Sequence, residues 1–232
     1  MRRSLLIGLT GGAIASLGVA SAAHAQDRGV AYAGGSVGDG ANGYAGALVA
    51  LPGGELGKGL AVRAGVSGGE YRYRAGERID ARYVGAEVAL AMQASGDWGY
   101  GSISAGGRVT DTRLSPVDPG NRLRGTRFDA VLQTDGALGN TWRLGWFGSY
   151  GINDRTYIAQ ARASHLVHGA SGTRLGLEGG TQGDRTYNRD SLGAFGSTRL
   201  APKWEGLISG GATFQEGRDA KPYVTLAVSR VF

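Results

Sequence analysis

The sequence has 232 residues, a formal net charge of +6, 44 glycines, 5 prolines and no cysteine. The lack of cysteine excludes disulfides, thiolate metal sites and cysteine nucleophiles, and the glycines follow no three-residue repeat, which excludes collagen. Hydrophobic residues make up 41% of the chain, and after the N-terminal region no segment is apolar enough for a transmembrane helix. A membrane β-barrel would escape that test, because only every second residue of its strands faces lipid.

The N-terminus is typical of a secretory signal peptide. Two arginines precede an apolar stretch over residues 5–19, and Ala-His-Ala at 23–25 forms a small-x-small cleavage site. The apolar stretch is too short and too rich in glycine to span a bilayer as a helix, which needs roughly 20 apolar residues. We therefore predict a signal peptide over residues 1–25, cleaved after Ala25, and one exported domain over residues 26–232.

The rest of the chain consists of short segments that alternate apolar with polar or small residues, each bounded by Gly, Asn, Asp or Pro. A period of two is that of a β-strand, and helical periodicity is nowhere sustained. We predict about twelve strands, with ten to fourteen possible, near residues 29–37, 42–51, 59–74, 79–93, 97–110, 124–136, 141–152, 155–167, 172–182, 186–199, 203–215 and 221–232.

Three segments illustrate the alternation. Residues 84–92 alternate valine, alanine, leucine and methionine with small residues and one glutamate, and residues 141–152 alternate tryptophan, leucine, tyrosine and isoleucine with arginine, glycine and serine. Residues 223–232 alternate in the same way and end on Phe232. A terminal phenylalanine that closes an amphipathic strand is typical of outer-membrane barrels, and Arg230 is the one polar residue on the apolar face of this segment.

These patterns predict an all-β fold, an antiparallel up-and-down transmembrane β-barrel in the outer membrane of a Gram-negative bacterium. An even strand count places both termini in the periplasm, so connections after odd-numbered strands face outside. These include the longest predicted connection, residues 111–123, and the segment 183–189, whereas connections after even-numbered strands are predicted to be short. Aromatic residues near segment ends predict interfacial girdles, and the Tyr-Arg-Tyr-Arg run at 71–74 suits headgroup anchoring or stacking on sugars.

The basic residues are mostly arginine, since only three of the 25 lysine and arginine residues are lysines. Arginine pairs bidentately with carboxylates or phosphates. The predicted lumen charges can therefore form internal salt bridges that plug the barrel, or they can make a lumen or surface that favours anions, including lipopolysaccharide phosphates. The predicted lumen charges, which we expect near Asp129 and Glu205, are the following residues: Arg63, Glu87, Arg108, Arg127, Arg143 and Arg162.

The sequence predicts no catalytic residue, metal or cofactor. Residues 38–43 match the Gly-x-Gly-x-x-Gly dinucleotide fingerprint, but no helix follows them to receive a pyrophosphate, so we predict a tight turn. His165 and His168 have no carboxylates at metal-ligand spacing. Ser164 and His165 point to opposite faces of a strand and cannot pair with each other, although His165 could meet a serine or aspartate of a neighbouring strand. Nucleic acid binding is not expected of an exported chain.

A dense motif in the predicted long loop resembles the signature of a known family. It reads Leu-Ser-Pro-Val-Asp-Pro-Gly-Asn at 114–121 and Arg-Gly-Thr at 124–126, and it is accompanied by Tyr-Ala-Gly-Gly at 32–35, Gly-Ser-Tyr at 148–150 and Arg-Leu-Gly-x-Glu-Gly at 174–179. The chain resembles the cellulose biosynthesis protein BcsS family over most of its mature length. The resemblance implies an outer-membrane place beside cellulose synthesis and secretion, with outer-membrane lipid, cellulose or another polysaccharide, and cellulose secretion components as partners.

Within this motif, Asp118 and Asn121 can form Asx turns, so the loop is expected to be ordered. Asp118, Asn121 and Arg124 are the residues that we expect to contact a polysaccharide or a partner. The first functional hypothesis is a non-enzymatic accessory barrel that helps to export, guide or anchor an exopolysaccharide such as cellulose. The alternatives are an outer-membrane hydrolase of lipid or acylated sugar, with His165 as base, and a small general pore.

Overall fold

The computed structural model describes residues 27–185 and 188–232, so the predicted cleavage site at Ala25 lies outside the described residues. No helix in these two ranges is long and apolar enough to cross a membrane.

Twelve antiparallel strands close into one barrel, in which β1 pairs with β12 and every other strand pairs with its neighbours in sequence. The predicted fold and strand count are therefore confirmed. The strands are β1 (Gly29–Val37), β2 (Gly40–Ala50), β3 (Gly59–Ala75), β4 (Glu77–Gly96), β5 (Gly99–Ser115), β6 (Gly125–Leu138), β7 (Trp142–Gly151), β8 (Tyr157–His168), β9 (Thr173–Gly183), β10 (Asn188–Ala201), β11 (Trp204–Phe214) and β12 (Lys221–Val231).

Alternation along each strand divides the wall into a lipid face and an inner face. In β4 the outward Val84, Val88 and Met92 are exposed, while the inward Ala89 and Ala91 are buried. The predicted alternation of β7 and β12 is confirmed in the same way. Because the strands of a closed barrel hydrogen-bond all their backbone N–H and C=O groups to one another without water, such a wall is stable in the hydrocarbon core of a membrane.

The outward apolar residues of the wall form a band that we call the lipid belt, and strands β3, β4 and β5 continue beyond it. Their outward apolar residues end at Val66, Val84 and Val109. Past this level the outward side chains are charged and pair with one another across the strands, as Arg82 does with Glu70 at 3.6 Å. These charges break the hydrophobic alternation that marks a strand in the sequence, and this explains why β5 ends at Ser115 instead of at the predicted residue 110.

The two ends of the barrel differ. The start of β1 and the end of β12 lie at one end, here called the terminal end. The opposite loop end carries the β5–β6 connection, residues 116–124, which is the longest in the described part of the chain, as predicted. The terminal-end connections are short except for the β2–β3 connection, residues 51–58. The predicted strand bounds had left residues 52–58 between these strands, so this connection lies where it was predicted, but it is longer than the short turns expected at this end. Leu56 of this connection donates its backbone N–H to the carbonyl of Asp27 at 3.0 Å. The same leucine packs against the buried Leu48 and Ala61, so the connection folds over the terminal mouth.

Glycine lets aromatic rings fill the inner wall. On the paired strands β1 and β2, Tyr32 lies opposite Gly46 and Tyr44 lies opposite Gly34. A Cβ at Gly46 would lie 2.6 Å from the Tyr32 hydroxyl, and one at Gly34 would lie 2.4 Å from the Tyr44 hydroxyl. The rings therefore lie flat over positions without side chains, and Tyr44 packs in the lumen with Phe195.

Candidate functional site

The barrel interior is crossed by groups of paired charges. In the first group, Arg63 is 3% exposed and binds Asp135. The Ser102 hydroxyl lies 3.1 Å from Nη2 of Arg63 and donates to Oδ1 of Asp135 at 2.7 Å. Since Arg63 lies on β3 and Asp135 on β6, this pair spans a chord of the barrel and does not merely join neighbouring strands.

The second group joins four adjacent strands, β4 to β7. Arg108 donates from Nε and Nη2 to the same carboxylate oxygen of Glu87, at 3.0 and 2.8 Å. Arg108 also donates to the Ser149 hydroxyl at 3.2 Å, and Gln133 donates to the other oxygen of Glu87 at 3.1 Å. Both ends of the ion pair are thus hydrogen-bonded, which is the condition under which a buried charge pair is tolerated.

The third group lies on the opposite side of the lumen. Arg162 binds Glu178 at 2.8 Å, and both side chains are buried. The Tyr223 hydroxyl donates to Oε1 of Glu178 at 2.7 Å, joining β12 to β9 across the sheet order. The Arg162 guanidinium also lies 5.4 Å from the centre of the Phe195 ring, within the range of a cation–π contact.

A fourth set of charges lies toward the terminal end. Glu205 accepts a hydrogen bond from Ser197 and is within electrostatic reach of Arg143 and Arg174. The field of Glu205 also reaches Tyr100, which lies on β5, half of the ring of twelve strands away from β11. Charged and polar side chains of opposite walls therefore interact across the interior at this level.

The structure places all the predicted lumen charges on the inner wall, and it identifies the individual partners, which the sequence did not predict. Arg127 binds Asp154 of the β7–β8 connection, with 2.8 Å from Nε to Oδ1, whereas the Asp129 carboxylate accepts the backbone N–H of Asn153 at 2.7 Å. Two carboxylates of the lumen, Asp135 and Glu178, were not among the predicted lumen charges. Both occupy inward positions of their strands, so a consistent period-two assignment of β6 and β9 would have identified them.

The 116–124 connection is ordered by two buried side chains at its corners. The Asp118 carboxylate accepts the N–H of Gly120 at 2.9 Å, and the Asn121 side-chain oxygen accepts the N–H of Leu123 at 2.9 Å. Both contacts are Asx turns, as the sequence indicated. Asp118 and Asn121 are therefore placed inside the loop, whereas Arg124 is exposed on its surface.

The prediction that the tyrosines of residues 71–74 anchor the barrel in lipid headgroups was wrong. Tyr71 and Tyr73 are 3% and 2% exposed and point into the barrel, where they pack with Ile79 and Tyr83. The neighbouring Arg72 faces outward. The inward rings form the wall against which the loop packs.

The outer surface of the loop forms an open, basic groove of about 720 Å³. Val117 is exposed at this surface, and the groove is lined by Arg113, Arg122 and Arg124. Inside the loop end, two smaller cavities of about 80 and 70 Å³ lie beside the ion pairs, and both polar and apolar groups line them.

His165 and His168 are the histidines of the described ranges, and their contacts are with Trp142 and Ser171. Ser164 is buried on the inner wall, while the His165 ring stands edge-on to Trp142 with centroids 4.6 Å apart. His168 lies at the terminal end, with Nδ1 2.9 Å from the Ser171 hydroxyl. Within the described ranges, no cluster of three or more His, Cys, Asp or Glu side chains could hold a metal ion. The tight turn predicted for residues 38–43 is confined to residues 38–39, because β2 already begins at Gly40.

A profile of the family described as cellulose biosynthesis protein BcsS matches residues 30–232. The chain belongs to the BcsS family. Its closed wall with an apolar belt is the architecture of outer-membrane barrels, and the BcsS-family chain is accordingly an outer-membrane protein associated with cellulose biosynthesis. The resemblance inferred from the loop motif is therefore confirmed.

Several solved structures are similar to this BcsS-family barrel. A KdgM porin in complex with disordered oligogalacturonate matches with 10% identity and a TM-score of 0.49, covering 88% of this chain and 99% of the porin. The translocator domain of the autotransporter NalP from Neisseria meningitidis matches with 15% identity and a TM-score of 0.48, covering 90% of each chain. An outer membrane channel from Pseudomonas putida F1 matches with 17% identity and a TM-score of 0.40, covering 89% of this chain and 95% of the channel. Comparison with curated protein sequences finds no match.

Proposed function

We propose that this BcsS-family barrel is a non-enzymatic accessory of cellulose production that holds the polysaccharide at the outer face of the outer membrane and does not conduct it. The observation that carries the proposal is a set of side-chain contacts that cross the lumen between strands that are not neighbours in the sheet. Arg63 reaches Asp135 from β3 to β6, and Tyr223 reaches Glu178 from β12 to β9. The apolar cluster around Phe195 joins β10 to β2.

The size of the barrel supports the same conclusion. Small barrels are filled by their own side chains, and a cavity needs roughly 10–15 Å³ to hold one water. At about 80 and 70 Å³, the two loop-end recesses exceed this minimum but are far smaller than a passage through the barrel would be. Passage of a glucan would require the separation of buried ion pairs, and leaving one charge of such a pair uncompensated costs about 3–5 kcal/mol.

The loop end offers the surface for contact with cellulose. The loop is held in one shape by Asp118 and Asn121, and it presents Arg124 on an open groove. In this proposal Arg124 contacts the polysaccharide or a component of the secretion machinery, while the two Asx residues set the loop conformation. The lipid belt holds the barrel in the outer membrane.

The arrangement of His165 does not favour the hydrolase alternative. Its ring lies on the outer wall against Trp142, and Ser164 next to it points inward. The pore alternative requires the ion-paired interior to open. Neither alternative is supported by a specific contact, so both serve as outcomes of the experiment.

The test is deletion of the gene in its host, with cell-bound and released cellulose measured separately and the purified protein assayed in planar bilayers. We expect a lower bound fraction with similar total cellulose, recovery by wild-type protein and by His165→Ala, and no steady conductance. An unchanged distribution of cellulose would contradict anchoring, and a steady conductance would favour the pore. Failure of His165→Ala to restore retention, with normal folding, would favour a catalytic role.

A further inference from the structure

The larger of the two loop-end cavities has two polar walls and a charged floor. One wall is formed by β12, β1 and β2, the other by β8, β9 and β10, and the cavity reaches the loop end beside the 38–39 turn. Its floor is the buried pair of Arg162 and Glu178, with the Tyr223 hydroxyl bound to Glu178. We call this cavity the vestibule. The floor closes it toward the terminal end, so a ligand can enter but not pass.

The first wall carries a continuous row of uncharged hydrogen-bonding side chains. Ser36 on β1 is the direct cross-strand partner of Thr225 on β12 and of Asn42 on β2, and all three line the vestibule. Directly opposed side chains have Cβ atoms roughly 4.5–5.5 Å apart. Within the described part of the chain, none of the three makes a side-chain hydrogen bond to another residue. Their donors and acceptors are therefore available to a ligand.

The opposite wall supplies further groups of the same kind. Gln160 and Ser191 both lie opposite Gly180 on the intervening strand β9. Each already makes one weak hydrogen bond within the wall, Gln160 to Glu178 at 3.5 Å and Ser191 to the Gly180 carbonyl at 3.4 Å, and each keeps further hydrogen-bonding capacity. Arg189 lines the same wall. At the rim Asp39 is paired with Arg218 at 3.6 Å. With the charges of the floor and rim compensated in pairs, Arg189 is the remaining charge of the lining, and the other polar groups of both walls are neutral.

We propose that the vestibule binds the end of a neutral, hydroxyl-rich glycan chain of the β-glucan class. This inference rests on the proposed anchoring function, for which it names the binding site. Amides and hydroxyls both donate and accept hydrogen bonds, which matches the hydroxyls of a sugar, and pockets of this kind use a few convergent polar groups to fix a ligand. The closed floor restricts binding to a chain end.

The test is binding of cellopentaose to the purified barrel by calorimetry, comparing wild type with the triple variant Ser36→Ala/Asn42→Ala/Thr225→Val. If each lost hydrogen bond contributes roughly 1 kcal/mol, or about fivefold in affinity, the variant binds on the order of 100-fold more weakly. Thr110→Val, in the second cavity, is the matched control and keeps wild-type affinity. Folding of each variant is checked by its circular dichroism spectrum and its migration on unheated gels.

Several outcomes would overturn the vestibule assignment. One is equal affinity of the triple variant and wild type; another is no binding of cellopentaose by wild type; a third is tighter binding of an acidic oligosaccharide of the same length, which would make Arg189 the main determinant. If cellopentaose binds as expected but gene deletion leaves cellulose retention unchanged, the anchoring function fails and the site remains. If deletion lowers retention while the triple variant binds normally, only the vestibule assignment fails.

Discussion

The phenol of Tyr73 donates a hydrogen bond of 2.9 Å to the Asp118 carboxylate and accepts one of 3.0 Å from the Asn121 amide. These two side chains close the Asx turns that shape the 116–124 loop. One buried hydroxyl on β3 thus fixes both corners of the loop. Because β3 continues beyond the lipid belt at this level, the loop is positioned by the strand wall and not by the membrane.

Tyr73→Phe is therefore expected to loosen the loop while leaving the barrel intact. Loss of the hydroxyl leaves the buried Asp118 carboxylate short of a donor, at a cost of about 1–3 kcal/mol. Amide exchange at Gly120 and Leu123 should speed up by roughly tenfold or more, measured by hydrogen–deuterium exchange. Tyr150→Phe, on the lipid face, is the control and should not change these amides. Unchanged protection in Tyr73→Phe would show that the loop is held by other contacts.

The sequence predicted the barrel well because lipid imposes a strict period of two on its wall. The strands whose outward positions stay apolar, such as β7 and β12, were assigned within a few residues. Strand ends were predicted less well where the wall extends beyond the lipid. The end of β5 is an example, because Asp111 and Arg113 face water there and interrupt the apolar pattern. The position of the 51–58 connection was predicted, but the packing of Leu56 over the terminal mouth was not, because it is a tertiary contact with no local pattern.

The buried pair of Arg63 and Asp135 should behave differently from a surface pair. Arg63→Met leaves a buried carboxylate uncompensated and is expected to cost about 3–5 kcal/mol of unfolding free energy, whereas Arg63→Met/Asp135→Leu should recover most of this loss. The measurement is urea unfolding of the barrel in lipid vesicles. As a control, Arg82→Met breaks an exposed pair with Glu70 and should cost at most about 1 kcal/mol. A double variant as unstable as the single one would contradict the role of charge pairing.

The candidate site could be predicted only in part. The alternation of side chains along each strand indicates which charged residues point inward. The ion-pair partner of each one depends on which strands face each other across the lumen. Thus Arg127 pairs with Asp154 of a connection, and not with Asp129 on its own strand. The inward rings of Tyr71 and Tyr73 were misassigned for a related reason, since alternating tyrosine and arginine fits a headgroup girdle as well as an ordered loop support.

The limits of the lipid belt can be measured by placing one charge at two depths of β4. Val88 lies near the middle of the outward apolar run and Val84 at its edge, and both are well exposed. An arginine at the bilayer midplane costs about 2–4 kcal/mol and one near the interface about 0–1 kcal/mol. We therefore expect Val88→Arg to lower the unfolding free energy in vesicles by the larger amount and Val84→Arg by the smaller. Equal costs at the two positions would place the membrane boundary elsewhere.

Arg124 and Asp118 should have separable roles in holding cellulose. Arg124 is exposed on the loop surface, so Arg124→Ala is expected to lower the cell-bound fraction without changing amide exchange in the loop. Asp118→Ala removes the acceptor for Gly120 and Tyr73, so it should raise exchange and lower retention together. Both variants are expressed in the deletion host, with cellulose and exchange measured on the same preparations. If Arg124→Ala keeps normal retention while Asp118→Ala does not, the shape of the loop, and not its arginine, determines retention.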